Sequence, residues 1–195
     1  MPMSIDAAAL TIFIVLAAAF SRFGEPRRGR VPTCFAAGIG TLFFIRGAVR
    51  AFLQYRAWSA APPGIFFLPP YQPWRYFINY SLLHFFSSFL LVLFSALAVG
   101  LVLRLAARYR PGMLERGEIA LYLACAFLVQ WPLVIPYTAL VFAMLALRLT
   151  ARNLILKDRT GLGIASSVLL SAIPFLVAGP WLTAALRLGQ LVMPR

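Results

Sequence analysis

The stretch IALYLACAFLVQWPLVIPYTALVFAMLAL, residues 119–147, contains no charged side chain and two prolines, Pro132 and Pro136. A helix crosses a hydrocarbon core in about 20 residues. The stretch is therefore too long for one straight span and too short for two full ones. It is either one kinked helix or a hairpin that turns at QWPLVIPY. Basic residues flank it on both sides, with Arg104, Arg108, Arg110 and Arg116 before it and Arg148, Arg152, Lys157 and Arg159 after it. A single crossing leaves 10 basic residues on the cytoplasmic side against 8 outside, whereas a hairpin leaves 12 against 6. The excess of basic residues in cytoplasmic loops favours the hairpin. Arm length opposes it, because each arm has only about 13 residues where a full span needs about 20. The reading leans to a hairpin of short arms or a re-entrant pair.

Working outward, the rest of the chain has the same character. Of its 195 residues 62% are hydrophobic, against about half in an average soluble domain. Mean hydropathy is +0.87. Too few polar residues exist to cover a soluble core. The sequence predicts an all-α fold, a polytopic helical bundle in the membrane with five to six transmembrane segments and proline-broken helices. It reads as one domain over 1–195, with spans at about 5–21, 32–53, 76–103, 119–147 and 162–187. The last is interrupted by Pro174 and Pro180.

The net charge is +13, from 18 basic and 5 acidic residues. The basic residues sit at the ends of apolar runs, where they set topology and meet anionic headgroups rather than nucleic acid. Arg22, Arg27, Arg28 and Arg30 follow the first span, and no basic residue precedes it. That order is wrong for a cleaved signal peptide and predicts a retained span with its N-terminus outside. Lys157 is the only lysine. This arginine bias suggests a GC-rich bacterial genome, hence the bacterial cytoplasmic membrane.

Residues 54–75 form an extracytoplasmic loop in this topology. Its part PPGIFFLPPYQPW (62–74) is too rich in proline for a helix and too apolar for a solvated loop. Ile65, Phe66, Phe67 and Leu68 are expected to dip into the interface, and Tyr71, Trp74 and Tyr76 to form an aromatic belt. Phe66, Phe67, Tyr71 and Trp74 are the candidate interface residues. Arg56 and Arg75 bracket the segment and can hold lipid phosphate. Arg46 and Arg50 share a helix face four residues apart. Arg46 lies about 21 Å along the helix from Pro32, near enough to the outer surface to snorkel. These four arginines are the candidate lipid or anion contacts. Ala36, Gly38, Gly40 and Gly47 give the same helix a small-residue side for close packing.

Chemistry-bearing clusters are absent from the pattern. The five acids, Asp6, Glu25, Glu115, Glu118 and Asp158, all fall at or near span ends. Cation-coupled transport usually needs a carboxylate at membrane depth, and intramembrane proteolysis needs carboxylates or a metal cluster. The two cysteines, Cys34 and Cys125, lie in different apolar runs, so no metal site is expected. His84 is the sole histidine, set among aromatic residues. It is either a structural residue bonded to Asn79 or a serine of a neighbouring helix, or an axial ligand for haem or chlorophyll. No catalytic residue and no cofactor are expected, with haem or chlorophyll on His84 as the alternative.

The leading expectation is a non-catalytic membrane subunit that scaffolds or stabilises a larger assembly. Its partners would be membrane lipids and other membrane subunits or further copies of itself. The alternative is a small transporter or lipid-handling protein built on Arg46 and Arg50 and on the breaks at Pro132/Pro136 and Pro174/Pro180. A pigment- or haem-binding subunit comes third.

Overall fold

The computed structural model describes residues 3–22, 30–60, 62–109, 117–155 and 164–188. Arg27, Arg28, Arg110, Arg116, Lys157 and Arg159, on which the topology reading leans, lie outside them. Among the described residues six helices follow one another: α1 (Met3–Arg22), α2 (Arg30–Ala60), α3 (Trp74–Tyr109), α4 (Glu118–Val129), α5 (Val134–Ile155) and α6 (Ala165–Ala185). No strand occurs among the described residues. Four of the helices, α2, α3, α5 and α6, are long and apolar enough to cross a membrane, as in an integral membrane protein.

The core is organised around α4, which is only 12 residues long. Leu121, Tyr122 and every residue from Ala124 to Val129 are buried, as is Glu118. A helix apolar on all sides has no face to offer water and is stable only when wrapped. Here α4 touches all five other helices. Phe127 shows how. Its ring lies over Gly40 of α2 and stacks with Phe43 at 6.5 Å and with Phe89 of α3 at 5.6 Å.

The long apolar run breaks at Gln130–Leu133, between α4 and α5, and the chain turns back there. Tyr122 Oη and Thr138 Oγ1 are 2.6 Å apart although 16 residues separate them. In a continuous helix they would be about 24 Å apart. The Tyr122 and Tyr137 rings stack at 5.7 Å across the same seam. The arms are unequal: α4 is about 18 Å long and α5 about 33 Å.

Of the small residues on α2, Ala36 and Gly47 are buried, and Gly47 meets the Phe86 ring of α3. Gly38 corrects the sequence reading: it is exposed, and a side chain there would meet nothing within 4 Å. The expected loop at 54–75 is also shorter than drawn. No proline or glycine interrupts Gln54–Ala60, so α2 continues to Ala60.

Residues 62–73 then fold back on the end of α2 through a single 3-10 turn, Gly64–Phe67. Trp58 is the centre of this collar, with Tyr80 at 4.7 Å, Phe67 at 5.4 Å and Phe77 at 5.7 Å between ring centroids. Gly64 is required by the close approach, since a Cβ there would stand 2.6 Å from Trp58 Cα. The four apolar residues of the turn do not all point outward as expected. Leu68 is buried in the protein, while Phe66 and Phe67 are exposed. Replacing Gly64 by Ala should cost about 1–3 kcal/mol, because backbone and not a flexible side chain stands in the way. Gly38→Ala should leave stability unchanged or slightly raised. Thermal loss of the monodisperse species in detergent separates the two, and equal behaviour would contradict this packing of the collar.

Candidate functional site

Two helix irregularities meet at one place. The first is the break between α4 and α5. Gln130 N–H closes α4 on the Ala126 carbonyl at 3.0 Å. The helix goes no further, because Gln130 itself leaves the helical region, and Pro132 two residues on has no N–H with which to continue the ladder. Gln130 takes φ 64 and ψ 168, a region favourable only to glycine. The amides that open α5 are used internally, with Val134 on Gln130 O at 2.9 Å and Tyr137 on Leu133 O at 3.0 Å.

The second irregularity is a kink in α6 at Ala178, with φ −114 and ψ 21, two residues before Pro180. Pro180 cannot donate to the Leu176 carbonyl, and its ring crowds that turn. Thr183 Oγ1 donates to Gly179 O at 2.9 Å and so satisfies one carbonyl of the kinked segment.

Between break and kink lies a cavity of about 360 Å³. Leu128 to Leu133 line it from the hairpin tip, Phe175, Leu176, Gly179, Pro180 and Thr183 from α6, and Ala9 from α1. Arg46 of α2 lines it as well and is the one charged side chain among the described residues that does. Among the described residues neither the Arg46 guanidinium nor the Gln130 side-chain amide makes a hydrogen bond or ion pair.

The site is far from both ends of the bundle. Along α2, Arg46 is about 24 Å from Arg30 and about 18 Å from Trp58 of the collar. On α3 the Phe86 ring, which packs on Gly47, is about 18 Å from Trp74 and about 27 Å from Arg104. The two counts agree.

At the other end of the hairpin, Glu118 is 1% exposed and accepts a hydrogen bond from Ala165 N–H, the first amide of α6, at 2.9 Å. Arg148 of α5 donates to Ser166 Oγ and lies 3.5 Å from Ser167 Oγ. The sequence placed Glu118 in a charged link between spans. The structure buries it, where it caps α6 and holds the helix dipole. Gly117, at φ 91, was the available signal that a helix starts at residue 118.

The candidate residues named from the sequence are spread out. Arg46 and Arg50 are both exposed, one turn apart on α2; Arg46 lines the cavity and Arg50 does not. Arg56 and Arg75 are exposed at the collar. Of the four prolines, Pro132 and Pro180 line the cavity, and Pro136 and Pro174 do not. Thr183 was missed by the sequence reading, although its place four residues after Gly179 was visible. His84 sits in a π-helical stretch of α3, Leu82–Phe86. It is exposed, its Nδ1 lies 3.1 Å from Tyr80 O, and its ring stacks on Tyr80 at 4.1 Å. The expected bond to Asn79 or a serine is replaced by this contact within its own helix, because the widened turn brings the Tyr80 carbonyl under the ring. Phe66, Tyr71 and Trp74 stay exposed on the collar.

No family model matches the chain, and no curated protein or solved structure matches it either.

The backbone at Gln130 gives a direct check. Gln130→Gly should stabilise the protein by about 1 kcal/mol, the relief of strain less glycine's own entropy. Gln130→Ala, strained like the glutamine, should gain nothing. Denaturant titration in detergent measures both, and an equal gain would place the effect outside the backbone.

Proposed function

We propose that the protein holds an amphiphile with an anionic head group, such as phosphate, in this cavity, and acts as a small transporter or lipid-handling protein. One observation carries the reading: an unpaired arginine and two broken helices line the same cavity. Taking the collar and the terminal arginines as the membrane boundaries, Arg46 lies inside the hydrocarbon. A charge there is costly and is kept where it meets a partner or a ligand. Irregular backbone at that depth is tolerated where it lines a cavity, as at the substrate sites of many transporters. The head group would sit on Arg46 and Gln130, with its apolar part along Leu133, Phe175 and Leu176.

Native mass spectrometry from nanodiscs tests this. Phosphate-bearing lipid should stay bound to the wild-type protein, and uncharged diacylglycerol should not. Arg46→Gln should weaken retention roughly 10- to 100-fold, the worth of a charge-assisted hydrogen bond. Arg75→Gln should leave it unchanged. Loss of lipid in both variants alike would sink the proposal.

The scaffold reading keeps one observation in its favour. Cys34, Gly38 and Thr41 lie exposed along one side of α2, and Gly38 is bare. Such a stripe suits close helix association. If α2 pairs with a second copy, oxidative crosslinking in native membranes should join the chains through Cys34, while the buried Cys125 stays unreacted. Monomers alone after oxidation would count against it.

A further inference from the structure

His84 has no part in the cavity, and its surroundings define a separate place on the molecule. Along α3 it is about 15 Å from Trp74 and about 30 Å from Arg104. With the collar and the terminal arginines as boundaries, it lies within the apolar part of the span, and its side chain is exposed. A histidine at such a depth is rare and is kept where it meets a partner or a ligand.

The imidazole is held in one orientation. A carbonyl oxygen only accepts, so in the 3.1 Å contact with Tyr80 O it is Nδ1 that carries the proton. The Tyr80 ring stacks on the imidazole, with centroids 4.1 Å apart and planes 18° from parallel. Both contacts sit at the π-helical turn Leu82–Phe86, and turns of this kind recur at functional sites. In the neutral ring the proton on Nδ1 leaves Nε2 with a lone pair. Nδ1 is turned back on the helix backbone, so Nε2, on the far side of the ring, is turned away from it. Among the described residues Nε2 has no hydrogen bond.

A lone pair in that position needs a donor or a metal. Water is excluded from the hydrocarbon, and acyl chains offer no N–H or O–H. A ring N–H given to a backbone carbonyl is also what orients a metal-ligating histidine and raises its basicity. No group of three or more histidine, cysteine or acidic side chains that could hold a bare ion occurs among the described residues. A metal bound here would have to bring its other ligands with it. A tetrapyrrole does so, supplying four nitrogens in a plane and taking an axial histidine. Beside His84 the exposed side of α3 continues through Ser88 and Leu91. Ser88 is small enough to admit the edge of a flat ring, and Leu91 gives it an apolar contact. We propose that His84 binds a lipid-dissolved metallotetrapyrrole, with Nε2 as the axial ligand. Two sources share this chemistry, an iron porphyrin (haem) and a magnesium chlorin (chlorophyll).

The test uses the full-length protein in nanodiscs, titrated in turn with haem, chlorophyll a and metal-free protoporphyrin. Absorption spectra and retention through a desalting column are read. One equivalent of a metallated ring should bind with a shifted main band, and the metal-free ring should be retained at least tenfold less. His84→Ala should weaken retention of the metallated ring roughly tenfold or more, and added imidazole should restore the shifted band by supplying the missing nitrogen. Arg46→Gln should change nothing, which separates this site from the cavity. Binding of haem alone assigns the site to iron, and binding of the chlorin alone assigns it to magnesium. Equal retention of the metal-free ring, or equal binding by His84→Ala, overturns the proposal. A wild-type protein that shifts neither spectrum overturns it as well.

Discussion

A peptide group in hydrocarbon has no water to bond, so each N–H and C=O must find a partner in the protein or line a cavity. Two of the places where the chain fails to meet that demand alone come together in the bundle, and Pro174 inside α6 is a further one that does not join them. At Pro132 and Pro180 the helical ladder is interrupted because proline has no N–H. Both interruptions lie against the same cavity, walled by α1 and α2. Other helices surround the break between α4 and α5, whereas Pro180 at the kink of α6 is exposed. The central position of α4 follows from this. A 12-residue helix that ends within the bundle has to be enclosed on every side, and its side chains are apolar on every side.

Arginine at this place serves the backbone as well as any ligand. The end of α4 gathers carbonyl groups, and a cation nearby offsets their partial charge. Arg46 therefore has a structural reason to stand at the cavity whether or not anything binds there. The same reasoning accounts for Glu118 at the opposite end of the hairpin, where a carboxylate meets the first amide of α6. The start of α6 is capped electrostatically by a side chain 47 residues away in the chain.

Much of the architecture was legible in the sequence because lipid imposes length and composition directly. The long apolar runs located α2, α3, α5 and α6, although α2, α3 and α5 run on to Ala60, Tyr109 and Ile155, past the expected ends at 53, 103 and 147, and Pro132 marked the break. The turn of the hairpin could only be weighed by counting charges. Contacts such as Tyr122 with Thr138 were needed to see it, and they depend on three-dimensional register. The site was half visible. Arg46 and the prolines were noticed, but Arg46 was grouped with Arg50, Arg56 and Arg75, which share its charge and not its position. Linear spacing places residues on a helix face and does not say which neighbouring helix that face meets. Gly38 failed for the same reason, since it has the right size on the wrong side. The burial of Glu118 was hidden because a charged residue in a basic link reads as solvated until the helix behind it is known to be central.

Gly179 and Leu133 meet where the kink of α6 passes the tip of the hairpin, and an added Cβ at Gly179 would come within 3.3 Å of Leu133 Cδ1. Glycine places only a hydrogen there, so the clearance between the kink and the hairpin tip is set by a side chain that is absent, and any larger residue at 179 would have to push the end of Leu133 aside.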